Sequence, residues 1–427
     1  MTPKTPGLSR REFVGATAAA AVGLPLRQEK DPEGLALRGG PKAVTASGPA
    51  AWRWPLYGPE EEKAIVALVR QPSYDPIAAF EKDWKAFLGV EHVKAHCNGT
   101  SALASMFFAL DLPPGSEIMV PSYTFFATIV PMRLFGYVPV FVDVDPHTLN
   151  FDLEDAKKRL TPRTRAVLPV HWLGLPCDMD AICDWADQKG LIVLEDAAHA
   201  HGARLKGKVM GAWGRMAIFS FQASKPLPAI EGGIGVYRER EDCDRATAFG
   251  NYDLCAGKFE AYKGTGLGLK LRMHPFAAAL ARCQLAGLAR RNAAGVAQVR
   301  RLNDRLIQLP GLSEQRARTD GERIYYNTNM LFIDEAKAGM SRDACVRALQ
   351  AEGVRAGAHR YTLQHKLRLY SEPAWWHHPP VVPELPGSDR ANATAISLPY
   401  FTSEQPELIE QYAKAFEKVW AHRKELQ

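Results

Sequence analysis

The stretch from Leu191 to Gly235 constrains the fold of this chain more than any other. Its first apolar run ends on two carboxylates, Glu195 and Asp196, and a second apolar run, over residues 216–221, ends shortly before Lys225. In an open α/β sheet, ligands bind just beyond the carboxyl ends of the strands. An acid that closes one strand and a lysine that follows another therefore predict one shared pocket.

Asp196 and Lys225 each also have an ordinary structural interpretation. Most lysines are exposed, and Lys225 can be a solvated loop residue. Asp196 precedes an Ala-rich turn, where an aspartate can cap a helix. The residues alone leave both interpretations open.

Strand and helix patterns alternate on both sides of this stretch. The alternation predicts an α/β fold with a mostly parallel, doubly wound sheet, followed by a smaller α+β domain. Strands are predicted at 117–120, 138–144, 165–170, 191–194, 216–221, 329–333 and 395–398, and helices at 60–70, 76–88, 99–110, 182–189, 275–309, 341–352 and 406–424. A helix is also predicted to run through Leu134.

The length of 427 residues favours two domains over one. We predict a large ligand-binding domain over residues 35–285 and a small C-terminal domain over 286–427. Residues 1–34 are predicted to be a signal and a linker outside both domains.

The predicted helix after residue 98 opens on Gly99, Thr100 and Ser101. Free backbone N–H groups, two hydroxyls and the positive end of the helix dipole together suit a phosphate group. An ordinary N-cap formed by Thr100 or Ser101 explains the same residues.

Charge and cysteine usage exclude several classes of function. The net charge of +6 is spread along the chain, and no nucleic-acid-binding signature is present. The seven cysteines are scattered without a CxxC pair, which predicts neither a zinc site nor a disulfide framework. The glycines at 264–268 lack the full GxGxxG pattern of a dinucleotide site. The adjacent histidines His377 and His378 are predicted to lie on a surface loop and not to bind metal, because neighbours on an extended chain face opposite sides.

The N-terminus carries Arg10 and Arg11 before a short Ala-rich segment over 15–24. This pattern is typical of a twin-arginine export signal and predicts a periplasmic protein. The apolar segment is too short for a stable membrane span. The alternative is an N-terminal extension of a cytoplasmic enzyme.

Eight ordered segments resemble the DegT/DnrJ/EryC1/StrS family of aminotransferases. The members of this family have fold type I, depend on pyridoxal 5′-phosphate (PLP) and act on sugars and cyclitols. The segments are NGTSAL (98–103), PSYTFFAT (121–128), PVFVDVDPHTLNFD (139–152), PRTRAVLPVHWLG (162–174), DMDAI (178–182), VLEDAAHAHGA (193–203), FSFQASK (219–225) and EGGI (231–234).

The resemblance implies a role for each matching residue at the cofactor. Lys225 would bind PLP covalently, Asp196 would pair with the ring nitrogen, and Phe125 would stack on the ring. His199 stands beside the ring hydroxyl, where many members carry Gln. The residues implied at the phosphate are Gly99, Thr100, Ser101 and Ser220.

The resemblance also implies a homodimer with shared active sites. Lys270 occupies the place of an Asn that, in many relatives, reaches the partner's cofactor phosphate. The residues implied in the substrate pocket are His171, Trp172, Tyr361 and His365, although each can equally be a packing aromatic residue or a hydrogen-bonded histidine.

The implied activity is transfer of an amino group from glutamate or glutamine to a keto-sugar or keto-cyclitol. Two alternatives are a PLP-binding sensor without turnover and a dehydratase-like activity on the same scaffold. Family dehydratases carry histidine in place of the lysine, so the presence of Lys225 speaks against the second alternative.

Overall fold

The structure is a computed structural model that describes residues 33–46, 48 and 51–426. The predicted export signal, with Arg10 and Arg11, lies outside these residues. Within them, no helix is long and apolar enough to cross a membrane.

The described residues contain strands, α-helices and short 3₁₀ helices. The strands are β1 (His92–His96), β2 (Glu117–Pro121), β3 (Val138–Val142), β4 (Thr164–Val167), β5 (Ile192–Asp196), β6 (Arg204–Leu205), β7 (Lys208–Val209), β8 (Met216–Ser220), β9 (Gly233–Tyr237), β10 (Leu312–Glu314), β11 (Gly321–Glu322), β12 (Thr328–Ile333), β13 (Gly357–Ala358) and β14 (Ala395–Pro399).

The α-helices are α1 (Pro59–Arg70), α2 (Asp75–Leu88), α3 (Gly99–Leu110), α4 (Leu153–Lys158), α5 (Met179–Lys189), α6 (Arg240–Gly250), α7 (Pro275–Leu306), α8 (Glu335–Ala338), α9 (Arg342–Ala351), α10 (Arg368–Ser371), α11 (Pro386–Thr394) and α12 (Pro406–Ala421). The 3₁₀ helices are Ala36–Arg38, Phe126–Thr128, Val130–Phe135, Trp172–Gly174, Gly257–Tyr262, Gln364–Lys366, Pro373–Trp375 and Arg423–Leu426.

The main sheet has seven strands in the order β1-β9-β8-β5-β4-β2-β3. All pairs from β8 to β3 are parallel, whereas β9 runs antiparallel to both of its neighbours. The predicted α/β fold with a mostly parallel sheet is confirmed. Strands β5 and β8 are adjacent, with Asp196 paired to Ile218, so the two predicted strand ends do meet.

Helices cover both faces of the main sheet, which explains its nearly continuous apolar strands. Alternate residues of β5 and β8 enter opposite cores. Val193 and Phe219 pack with α2 and α7 on one face, and Leu194 and Ile218 pack with α3 on the other. Burial of both faces holds the carboxyl ends of these strands in register.

The C-terminal part is built on the antiparallel sheet β10-β12-β14-β13, and β11, β6 and β7 form a third small sheet. Helix α7 joins the two large cores: Leu288 packs in the core of the main sheet, and Leu302 packs in the C-terminal core. Leu35 also packs in the C-terminal core. The predicted boundary between residues 285 and 286 falls inside α7 and stays a prediction.

The helix predicted to run through Leu134 forms instead as the two short 3₁₀ helices Phe126–Thr128 and Val130–Phe135. Pro131 supplies no amide hydrogen for an α-helical bond, which shortens the helix at this point. Residues 122–125 therefore form a loop at the end of β2, and Thr128 in the first 3₁₀ helix contacts Asp196 at the end of β5.

Candidate active site

A cavity of about 1030 Å³ lies at the carboxyl ends of β5 and β8, between the main sheet and the C-terminal part. The structure brings most of the predicted site residues to its wall. The predicted residues that line it are Gly99, Thr100, Phe125, Trp172, Asp196, His199, Ser220, Lys225 and Tyr361.

Asp196 is a buried carboxylate with two hydrogen-bond donors. The hydroxyl of Thr128 donates to Oδ2 at 2.8 Å, and the amide of Ala198 donates to Oδ1 at 3.1 Å. Burial raises the pKa of Asp196, although these two hydrogen bonds and the charge of Lys225 oppose the shift. The alternative of a simple helix cap accounts only for the Ala198 contact.

Lys225 follows β8 in a turn that faces the same cavity. Its amide donates to the carbonyl of Gln222 at 2.8 Å, and its own carbonyl accepts from Nε1 of Trp54 at 3.2 Å. Its Nζ lies 4.5 Å from the ring centroid of Tyr326, within the range of a cation–π contact. Lys225 is thus held at its backbone and at its amine, unlike a solvated loop lysine.

The start of α3 forms another wall of the cavity. Oδ1 of Asn98 accepts from the amide of Ser101 at 2.8 Å, so the N-cap is Asn98 and not Thr100 or Ser101. A Cβ atom on Gly99 would lie 2.9 Å from Cβ of Ser220, so only glycine lets the helix start approach the end of β8 this closely. The hydroxyls of Thr100 and Ser220 thereby reach one end of the cavity.

His199 packs its ring against Tyr326, with the ring centroids 4.3 Å apart. Its Nδ1 accepts from the amide of Leu173 at 3.4 Å. Burial, reinforced by the charge of Lys225, holds the pKa of His199 well below its usual range. The ring is therefore neutral, its proton lies on Nε2, and it can act as a hydrogen-bond donor.

Comparisons with known proteins match this geometry. The profile of the DegT/DnrJ/EryC1/StrS aminotransferase family matches residues 60–417. The chain belongs to this family.

The similar proteins include two characterised relatives. The chain is 36% identical over 241 residues to a 3-amino-5-hydroxybenzoate synthase of Amycolatopsis mediterranei, a match that spans 55% of this chain and 62% of that protein. It is 34% identical over 314 residues to the spore coat polysaccharide biosynthesis protein SpsC of Bacillus subtilis, with 70% and 79% covered. The crystal structure of DesI with its TDP-sugar product superposes with a TM-score of 0.76 at 27% identity, covering 92% of this chain and 97% of that one.

The enzymes of this family use PLP, and the residues of the cavity fit it. The carboxylate of Asp196 is buried, and in the described residues no ion pair neutralises it. A protonated ring nitrogen supplies the missing positive charge. The amine of Lys225 suits the aldehyde of PLP, and the neutral ring of His199 suits its ring hydroxyl. The hydroxyls at the start of α3 suit its phosphate.

Four predicted site residues, Lys270, His365, Ser101 and His171, do not line the cavity. Lys270 is exposed on the segment that follows α6. The ring of His365 is buried beside β2, where its Nδ1 lies 2.6 Å from the hydroxyl of Ser122. Ser101 is buried in α3, and its hydroxyl lies 3.1 Å from Sγ of Cys97. The side chains of Ser101 and His365 thus make internal hydrogen bonds, and their contacts with phosphate and substrate stay predictions.

His171 is likewise removed from the substrate wall. Its ring is fully buried: Nδ1 accepts from the amide of Cys177 at 3.1 Å, and Nε2 donates to Oε2 of Glu195 at 3.0 Å. The ring binds Glu195, whose side chain lies on the opposite face of β5 from that of Asp196. His171 therefore supports Glu195, and its contact with a substrate stays a prediction.

Glu195 is a buried anchor for the loop that leads into β8. Its carboxylate accepts from the amides of Gly211, Trp213 and Gly214, each at 2.7 Å, besides His171. Burial alone raises its pKa, but the hydrogen bonds from His171 and from the loop outweigh burial and lower the pKa below 4.5. This carboxylate is therefore ionised in the folded protein at neutral pH.

We expect Glu195→Gln to lower the free energy of unfolding by about 2–4 kcal/mol at pH 7, because an amide cannot accept from all four donors. Since the folded pKa lies below the ordinary value of 4.5, the stabilisation is fully present above that pH and is lost as the pH falls through the folded pKa. Urea unfolding of both proteins from pH 7 to pH 4 measures the difference, which should shrink at the acidic end. Glu62→Gln, on the exposed side of α1, is the control, and a pH-independent difference contradicts the prediction.

The glycines at 264–268 and the two tryptophans that precede the His377–His378 pair have structural roles. The glycines at 264–268 lie against α6, where a Cβ on Gly268 would meet the ring of Phe249 at 2.2 Å. Trp375 is half exposed and Trp376 is buried, and the guanidinium of Arg133 lies over both rings. Among the described residues, no group of three or more His, Cys, Asp or Glu side chains could hold a metal ion.

The structure adds site residues that the sequence analysis did not assign. Tyr326 contacts both Lys225 and His199, and Trp54 binds the carbonyl of Lys225. No motif around either residue indicates this role. Thr128 lies within the PSYTFFAT segment, but only the fold shows that its hydroxyl reaches Asp196.

Proposed function

We propose that this protein transfers an amino group from glutamate or glutamine to the ketone of a sugar or cyclitol. The observation that carries the proposal is the presence of Lys225 and Asp196 in one cavity, with the start of α3 at its edge. Membership of a family of sugar and cyclitol aminotransferases supports the class of acceptor. The two characterised relatives, a 3-amino-5-hydroxybenzoate synthase and a spore coat polysaccharide protein, are consistent with a cyclic acceptor.

PLP, when bound, supplies an electron sink for the electron pair released at the substrate α-carbon. Lys225 carries the proton that leaves this carbon, because its Nζ is the basic group that opens into the cavity. Asp196 would keep the ring nitrogen protonated, and the neutral ring of His199 would donate to the ring hydroxyl. Phe125, at the cavity wall, would cover one face of the ring.

The aromatic residues Trp172 and Tyr361 also line the cavity, and their ring centroids lie 4.7 Å apart. We assign these two residues to the substrate side of the cavity. Burial raises the pKa of Tyr361 above its usual range, so its hydroxyl is protonated and can donate to a substrate oxygen.

The amino-donor half of the reaction tests the proposal. The purified protein, reconstituted with PLP, is mixed with glutamate or glutamine in a single turnover, and its visible absorbance band is followed. We expect either donor to convert the cofactor to its amine form, whereas buffer alone leaves the band unchanged. A band that no amino donor moves overturns the proposal and favours a binding protein without turnover.

We also propose a homodimer in which Lys270 reaches the phosphate bound by the partner. The exposure of Lys270 and of the adjacent Leu269 supports an interface at this segment. Mixing Lys225→Ala chains with Lys270→Ala chains tests this dimer. If the site is shared, each mixed dimer contains one complete active site, with Lys225 from one chain and Lys270 from the other, and activity returns. Unchanged, additive activities contradict the shared site.

We further propose that the protein is exported through a twin-arginine signal that contains Arg10 and Arg11. The twin arginine and the Ala-rich segment that follows are its support. Fractionation of cells that express the tagged protein, with and without Arg10→Lys plus Arg11→Lys, decides between periplasm and cytoplasm.

A further inference from the structure

A chain of two buried hydroxyls ends on the carboxylate of Asp196. Oγ1 of Thr124 lies 2.8 Å from Oγ1 of Thr128, which in turn lies 2.8 Å from Oδ2 of Asp196. Both threonines are 1% exposed, so water does not compete for these hydrogen bonds. Neither threonine is among the residues assigned above to contacts with the cofactor.

The chemistry of the groups determines which atom donates in each of these two hydrogen bonds. An ionised carboxylate only accepts hydrogen bonds, and a hydroxyl has a single hydrogen to donate. Thr128 must therefore donate to Asp196. Its oxygen is then left to accept, so Thr124 must donate to Thr128.

The backbone that carries the two hydroxyls is held from the C-terminal half of the chain. Nε2 of Gln364 donates to the carbonyl of Thr124 at 3.1 Å, and the amide of Gln364 donates to the carbonyl of Ser122 at 3.1 Å. The hydroxyl of Ser122 also contacts His365. The loop at the end of β2 is thus restrained in the geometry that points Thr128 at Asp196.

Other titratable groups act on Asp196 without binding its carboxylate. Lys225 and Tyr361 do so from the cavity, and His171 does so from the opposite face of β5. In the described part of the chain, the donors to this carboxylate are the Thr128 hydroxyl and the Ala198 amide. Each carboxylate oxygen therefore keeps a lone pair for a further partner in the cavity.

We propose that Thr128, oriented by Thr124, is a positioning residue that keeps Asp196 ionised and aimed at the cofactor's ring nitrogen. Loss of the hydroxyl leaves Oδ2 buried without a donor, which favours the protonated carboxyl group. A protonated Asp196 cannot pair with a protonated ring nitrogen. The inference rests on the proposed role of Asp196 but not on the identity of either substrate.

The test uses the holoenzyme and two readouts besides turnover. The first is the PLP dissociation constant, and the second is the pH midpoint at which the lysine-bound cofactor changes its visible band. A positive ring nitrogen disfavours a second positive charge nearby, so its loss moves this midpoint to higher pH. We expect Thr128→Val, which keeps the shape of the side chain, to raise the dissociation constant about tenfold and the midpoint by about one unit.

Matched variants separate the hydroxyl from packing. Thr128→Ser should restore both values, and Thr124→Val should shift both in the same direction by a smaller amount. Thr247→Val removes a buried hydroxyl that donates to the carbonyl of Cys243 in α6, far from the cavity, and should leave both values unchanged. If Thr128→Val does not fold, Thr124→Val decides the question by itself.

Two results overturn the inference. One is an unchanged pH midpoint of the visible band in Thr128→Val or, if that variant does not fold, in Thr124→Val. The other is an equal shift in Thr128→Val and Thr128→Ser, which assigns the effect to packing. Asp196→Asn distinguishes a wrong role of Thr128 from a wrong role of Asp196. If this variant also leaves the dissociation constant and the midpoint unchanged, the proposed role of Asp196 is wrong.

Discussion

Lys225→Ala is expected to lower kcat by at least about 10⁴-fold, the largest effect of any single change in this protein. Among the described residues that line the cavity, no second amine takes the position of Nζ, because the other cations, Arg291 and Arg355, are guanidinium groups. A guanidinium group stays protonated and neither bonds covalently to an aldehyde nor shuttles a proton at neutral pH. Steady-state turnover with glutamate or glutamine measures the loss.

The absorbance spectrum gives an independent readout for the same change. The visible band of the lysine-bound cofactor should be absent in Lys225→Ala and in Lys225→Arg, although both proteins should fold. Lys189→Ala, at the exposed end of α5, should retain the band and the activity. A normal band in Lys225→Ala contradicts the assignment.

Asp196→Asn is expected to lower kcat by about 10²- to 10⁴-fold with a small change in the KM of the amino donor. The amide is nearly isosteric, but it carries no charge to hold the ring nitrogen protonated. In this variant the amide can donate to Thr128, and Thr128 can then donate to Thr124, so the local packing survives. Asp178→Asn, an exposed acid that pairs with Arg318, is the control.

The same substitution should stabilise the cofactor-free protein at pH 7 by roughly 1–3 kcal/mol. Burial raises the folded pKa of Asp196 above its unfolded value, so its contribution is present below the unfolded pKa and is lost as the pH rises through the folded pKa. Urea unfolding without PLP measures this gain. A loss of stability at pH 7, or an unchanged kcat, contradicts the proposed environment of Asp196.

The residues predicted for the cofactor end of the site lie at strand ends and at a helix start, and most of them line the cavity. Asp196 and Lys225 follow apolar runs that form the adjacent buried strands β5 and β8. The pattern at 98–103 indicated a helix start, whereas the close approach of Gly99 to β8 became visible only in the structure. Strand ends and helix starts are local features, which a sequence pattern can predict.

At the substrate end, Trp172 and Tyr361 line the cavity, whereas the rings of His171 and His365 do not. His171 lies in one of the eight matching segments, and His365 lies in none of them. Whether a side chain faces the cavity or the core depends on strand register and on contacts from distant segments, such as Ser122 with His365. No local sequence pattern predicts these contacts.

The sequence by itself therefore determined the sheet, the lysine, the acid and the phosphate end of the site. Only the tertiary structure decided that Tyr326 packs against His199 and Lys225 and that Thr128 binds Asp196. Tyr326 reaches the main sheet from the start of the C-terminal part, and Thr128 reaches the end of β5 from the segment after β2. Each of these contacts joins segments that are distant in the chain, which the periodicity of a single segment does not encode.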